Sequence, residues 1–340
     1  MRKKWKQSLL GLASAVMMLG CAQVTAFAGD LVPVGRAVGI DVTIDGVMVA
    51  GVSEVETENG KVSPAGQAGV LPGDFIVKLG SEPVHCLKDF SDIAQTLDEQ
   101  AVSVTVIRQE KQTQLTICPV LNTQGRYQLG LWLRDGITGI GTITYYDPDT
   151  GTYGALGHGI NDVDSGTLIP LSAGEIYDAS IVGVVKGQPG TPGELNGVFE
   201  GNAACGQVEG NTVYGIFGQY DGAPAGCGDA LPCAECGQAQ PGAATILSTI
   251  NGDTVAEYTI QIDRVFRENG EERFLLSVTD DALLKTTGGI VQGMSGSPII
   301  QNGKLIGAVT HVLTNDPTKG YGLCIQSMLN AAEQTLDEAA

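Results

Sequence analysis

One histidine and one serine, each set between glycines, have the residue types and surroundings for nucleophilic chemistry. His158 stands in Gly157-His158-Gly159 and Ser295 in Gly293-Met294-Ser295-Gly296, both beside apolar runs. A serine hydroxyl attacks a carbonyl usefully only when an imidazole takes its proton, and the imidazole must itself be held in the right tautomer. Gly293 and Gly296 let the chain turn tightly, so the N–H groups of Gly293 and Ser295 can converge on one oxyanion. Between the histidine and the serine, Asp162, Asp164, Asp178 and Asp280 are all in order to supply the acid. Asp280 also reads as a helix cap before Ala282-Leu283-Leu284. Of the two remaining histidines, His85 reads as a surface residue beside a hairpin. His311, in Thr310-His311-Val312, reads either as the wall of a substrate pocket or as a packed histidine. Serine chemistry of this kind calls for no metal and no cofactor.

Residues so far apart in the chain need a rigid scaffold, and the sequence describes one that is mainly β. From about residue 130 onward, short apolar runs alternate with turn signals roughly every ten residues, the rhythm of a β-barrel or a pair of barrels. Asn302-Gly303 marks a tight hairpin just after the serine. Residues 33–120 also alternate, around one helical stretch from Phe90 to Gln100, and LNTQGRY (residues 121–127) reads as turn-rich linker, placed at 121–129. LNAAEQTLDEAA reads as a short surface helix fading into an acidic tail at 331–340.

The chain has 340 residues and a net charge of −19. Arg2, Lys3, Lys4 and Lys6 precede an uncharged run ending in Ala26-Phe27-Ala28, the pattern of an export segment over residues 1–28, either cleaved or kept as a membrane anchor. Leu19-Gly20-Cys21 loosely resembles a lipoprotein box. Without that segment 15 basic residues face 38 acidic ones, which makes nucleic acid an unsuitable partner. Cys205, Cys227, Cys233 and Cys236 cluster in a Gly/Ala/Pro-rich region. They are open to reading as disulfides, free thiols or a structural zinc site, although paired CxxC knuckles are lacking.

Two resemblances add to this. SPAGQAGVLPGDFIVKLG (residues 63–80) resembles the bacterial PDZ signature, which implies a small α+β domain that captures an extended peptide on a sheet edge. Val38-Gly39-Ile40 is then the candidate carboxylate-binding loop. GMSGSP resembles the nucleophile turn of trypsin-like and HtrA-type serine proteases, with Ser297 in place of the second glycine. Together with LGLWLRDGITGIGTITYYDPDTGTYGALGHGI and GGIVQGMSGSPIIQNGKLIGAVTHVLTNDPTKGYG, it resembles the SpoIVB family of membrane-associated serine peptidases. That resemblance implies a trypsin-like double β-barrel over residues 130–330, with His158 as base, Ser295 as nucleophile and Asp280 as acid. It also implies sporulation signalling outside the cytoplasm, in the forespore membrane and the space between forespore and mother cell. There the enzyme would cleave itself and a membrane regulator of the pro-sigma-K processing complex. A broad HtrA-like quality-control protease and a non-catalytic PDZ adaptor are the alternative readings.

Overall fold

The computed structural model describes residues 29–108, 111–162, 166–201 and 203–339, with the side chains of 336–339 left aside. The expected export segment at 1–28 lies outside the described residues. Among those described, no helix is long and apolar enough to cross a membrane.

Two long strands organise the N-terminal half. After β1 (Asp30–Pro33) comes β2 (Ala37–Val52), and its partner β6 (Leu131–Tyr146) returns antiparallel to it from Leu131↔Val52 to Thr142↔Ala37, with two register shifts. Between them lie α1 (Pro64–Gln67), β3 (Phe75–Leu79), α2 (Leu87–Ala94), β4 (Val102–Arg108) and β5 (Lys111–Ile117). The far halves of β2 and β6 join β3, β4 and β5 around a core of Val47, Val49, Ile76, Leu79, Val104 and Phe90, and this is the PDZ domain. Asp74 is fully buried there, and the Arg108 guanidinium offsets its charge with two hydrogen bonds of 2.6 and 2.7 Å.

The near halves of β2 and β6 belong instead to the first peptidase sheet. They pack Val38, Ile40, Val42 and Ile143 with Tyr153 and Ile176. That sheet continues with β7 (Thr152–Ala155), β8 (Ala173–Val185), β9 (Glu194–Phe199) and β10 (Gly215–Gln219). The PDZ domain is therefore an insertion in the peptidase. Residues 30–45 belong to the peptidase, and the domain does not start at residue 130 as the sequence suggests. The expected linker is likewise structured: Val120 and Leu121 pair with Gln128 and Tyr127, and Leu129 is buried in the PDZ core.

The second half closes on itself. Strands β11 (Gly242–Thr249), β12 (Val255–Glu268), β13 (Glu271–Val278), β14 (Pro298–Gln301), β15 (Lys304–Leu313) and β16 (Asp316–Cys324) form a closed barrel. Ile246, Ile260, Phe274, Leu276 and Ile299 fill it. Helix α3 (Asp281–Thr287) leads from β13 into the loop that carries Ser295. Asn302 and Gly303, with φ of 53° and 73°, form the β14–β15 turn, as two-residue hairpins with that dipeptide require. The terminal helix α4 (Ile325–Ala339) is no surface appendage. Ile325, Met328 and Leu329 are buried against Leu31, Tyr145 and Phe217 of the first half.

Candidate active site

Ser295 and His158 meet in a cleft of about 430 Å³ between the two halves, with Thr310 and His311 also in its wall. The first half delivers His158 from the end of β7 through a sharp turn in which Leu156 and Gly157 both have positive φ, 71° and 67°. A non-glycine residue held there is strained, and such strain is commonly tied to functional geometry. The second half delivers Ser295 from the loop between α3 and β14, at Gly293 with φ of 96° and Gly296 with φ of 97°.

The loop is clamped by its carbonyls. Val291 O accepts from Met294 N–H, Gln292 O from Leu195 N–H, and Met294 O from Ser297 N–H. Thr142, a fully buried residue of β6, holds the other two: its Oγ1 donates to Gly293 O at 2.7 Å and its N–H to Ser295 O at 3.1 Å. All five carbonyls from Val291 to Ser295 are thus occupied. The N–H groups of Gly293 and Ser295 meet no acceptor among the described residues. This asymmetry leaves the loop with two donors beside Ser295 that meet no acceptor among the described residues, the equipment an oxyanion hole needs.

The sequence offered no signal for Thr142, one threonine in the alternating run GITGIGTIT. Thr142→Val keeps the shape but removes the bond to Gly293 O. It is expected to lower kcat about tenfold or more, consistent with the 1–3 kcal/mol cost of a buried unpaired carbonyl. KM should change little and Thr142→Ser should restore the rate, which steady-state kinetics would show.

The imidazole of His158 places Nδ1 2.8 Å from Gly159 O. A carbonyl only accepts, so Nδ1 carries the proton and Nε2 keeps the lone pair of the neutral ring. Burial lowers the His158 pKa, partly opposed by that hydrogen bond. His311 lies against it with ring centroids 4.8 Å apart; burial, then the charge of His158 and that of Arg273, push the His311 pKa down to about 4. A base with a lowered pKa stays competent into more acidic solution. The acid limb of kcat/KM against pH is therefore expected below 6.5, the ordinary histidine value.

Ser295 Oγ donates to Thr310 O at 2.7 Å, so its proton is engaged by that carbonyl and not by His158 in this state. A register shift between Val309 and His311 takes Thr310 out of the β15–β16 pairing.

The structure does not bring Asp280 to the imidazole. Its Oδ1 accepts from Leu283 N–H at 2.9 Å as the N-cap of α3, its Oδ2 faces Thr259 N–H, and it does not line the cleft. The carboxylate is committed to the helix terminus, where four N–H groups lack internal partners. Of the other acids in sequence order, Asp178 pairs with Arg36 and Asp162 lies 3.7 Å from Arg134; Asp164 is outside the described residues. Among the described residues, the carbonyl of Gly159 is the group that holds Nδ1 of His158.

The peptide-binding assignment also changes. Val38, Gly39 and Ile40 lie in β2, paired on one side with Gly141, Ile140 and Gly139 of β6 and on the other with Asp178, Tyr177 and Ile176 of β8. With both edges occupied, no peptide can add there, and Val38 and Ile40 are buried in the peptidase core. The open groove, about 500 Å³, runs instead between α2 and the start of β6, where Phe90, Ala94 and Leu97 face Leu129, Gly130 and Leu131. Gly130, with φ of 71°, turns the chain into β6 where an added Cβ would lie 2.5 Å from Ser53 O. The edge of β6 from Leu131 to Arg134 opposite β2 pairs with no strand among the described residues.

The family model for the SpoIVB peptidase S55 matches residues 125–329, and a PDZ domain model matches 60–108. The chain belongs to the SpoIVB peptidase S55 family. It is a serine peptidase with a PDZ domain. No curated protein matches it. Solved structures with similarity include the active form of the Rv3671c protease from M. tuberculosis, at 15% identity and a TM-score of 0.32, covering 59% of this chain and 74% of that one. An inactive serine-to-alanine mutant of Rv3671c from M. tuberculosis H37Rv shows 14% identity and a TM-score of 0.32, with 58% and 83% covered. A structure named GrC shows 11% identity and a TM-score of 0.27, with 92% and 99% covered. The seven described cysteines are all free thiols.

Proposed function

We propose that this peptidase cleaves through Ser295 and His158 and serves sporulation signalling outside the cytoplasm, acting on itself and on a membrane regulator of pro-sigma-K processing. The carrying observation is the shared cleft, lined both by His158, whose Nδ1 is engaged by Gly159 O, and by a serine loop in which the Gly293 and Ser295 N–H groups meet no acceptor among the described residues. An extended substrate that donates its backbone N–H to Thr310 O displaces the Ser295 hydroxyl from that carbonyl. The hydroxyl then turns its proton to Nε2 as Oγ attacks. The oxyanion is received by the N–H groups of Gly293 and Ser295, His158 returns the proton to the leaving amine, and water hydrolyses the acyl-enzyme by the same relay. Thr310 and His311 form the wall against which the substrate lies.

Asp280 acts in this scheme as a positioning residue, through the helix that feeds the nucleophile loop. Asp280→Asn retains a good cap and is expected to keep activity within a few-fold, whereas Asp280→Ala loses about 1 kcal/mol of stability. Paired kinetics and melting curves check this. A fall of about 10⁴-fold in Asp280→Asn at unchanged Tm would instead put the carboxylate on the working imidazole.

Family membership supports the signalling role, and the groove beside α2 supports capture of a peptide by the PDZ domain. The basic, apolar presequence supports membrane association. N-terminal sequencing of products formed by the wild type and absent with Ser295→Ala tests self-cleavage. Rapid general digestion of casein would favour an HtrA-like quality-control protease.

A further inference from the structure

We infer that Cys236 and Cys324 form a reversible disulfide that locks the segment bridging the two halves of the peptidase. Their Sγ atoms are 3.2 Å apart, although the residues are separated by most of the second barrel in sequence. Cys324 ends β16 and is 1% exposed, while Cys236 is exposed in the loop before β11.

The backbone around Cys236 is fixed on both sides, so the approach of the two sulfurs is built into the fold. Upstream, Leu231 and Pro232 pair with Leu31 and Asp30 of β1; Ala234 N–H donates to Leu305 O at 2.9 Å, and Gln326 Nε2 donates to Ala234 O at 3.1 Å. Downstream, Gly237 N–H donates to Glu272 Oε2 at 2.8 Å, Lys304 Nζ to Gln238 Oε1 at 2.9 Å, and Gln240 N–H to Gln301 Oε1 at 3.1 Å. The segment 231–240 thus reaches from the first strand of one half to the barrel of the other.

The chemistry assigns different roles to the two thiols. Burial and the neighbouring Cys236 raise the Cys324 pKa, so it is a poor first nucleophile. Cys236, facing solvent, loses its proton to water, attacks one sulfur of a small-molecule disulfide as its thiolate and expels the other half as a thiolate, which takes up a proton from water. Cys324 then attacks Sγ of the mixed disulfide, giving its proton to the departing thiolate. The two cysteines together lose two electrons and two protons, and the small disulfide gains them as two thiols.

The test uses the full chain, reduced and then equilibrated in oxidised and reduced glutathione, trapped with N-ethylmaleimide under denaturing conditions and mapped by mass spectrometry. The expected product is a peptide linking Cys236 to Cys324, with Tm several degrees above that of the reduced protein. Cys236→Ser, an exposed substitution, should match the reduced wild type in Tm, gain nothing on oxidation and leave Cys324 alkylated. Glutathione held on Cys236 with Cys324 still alkylated would overturn the inference. So would preferential pairing among Cys205, Cys227 and Cys233, or an oxidation-dependent Tm gain that survives in Cys236→Ser.

Discussion

Ser295→Ala lowers turnover by about 10⁶-fold, the scale seen when a serine protease loses its nucleophile. The folded protein is retained. Only the Oγ is removed, and its one bond is to Thr310 O, whereas the loop itself is held by backbone carbonyls and by Thr142. Melting curves should therefore move little while cleavage is lost. His158→Ala should cost about as much, and the double variant little more, because base and nucleophile act as one unit. Rates from single-turnover cleavage of a peptide, beside Tm values, separate this from unfolding.

Gly296→Ala is the second large effect, and its cause is steric. Gly296 has φ of 97°, and an added Cβ would sit 2.0 Å from Thr142 O and 2.6 Å from Leu156 N. Both atoms are backbone, and they are bonded to each other at 3.2 Å, so neither can withdraw without opening the turn that carries His158. The φ alone costs about 1–2 kcal/mol for a residue with a Cβ. Displacing the two halves by about an ångström costs about 100-fold in rate. Gly296→Ala should thus lower both Tm and kcat, whereas Ser295→Ala lowers only the rate. Circular dichroism melts and kcat from the same preparations check the contrast.

That Ser295 and His158 belong together was legible in the sequence because chemistry restricts such a pair, and the fold does place both in one cleft. A serine in a glycine turn and a histidine between glycines are local patterns, and the hairpin at Asn302-Gly303 is a local signal too. The domain boundary was not legible, because β2 and β6 each continue from one domain into the other. In VGIDVTIDGVMVAGV only Asp45-Gly46 falls at the join, where Gly46 has φ of 128° and the β2–β6 register shifts, and by itself that dipeptide reads equally as an ordinary turn. For the same reason Val38-Gly39-Ile40 resembles a binding loop until its two neighbours, one more than 130 residues away in sequence, are seen to fill both edges. The glycine turn at the groove, in QLGLW, lies on the far side of the insertion. Asp280 satisfied two sequence readings at once, acid and cap, and the geometry shows the cap. Thr142 acts through a neighbour that folding alone supplies.

Catalysis at Ser295 is tested most directly by labelling the folded protein with a fluorophosphonate and locating the adduct by mass spectrometry. The expected result is one phosphonylated residue, Ser295, with labelling lost in Ser295→Ala and strongly slowed in His158→Ala. Labelling at another serine, or equal labelling of Ser295 with and without His158, would contradict it.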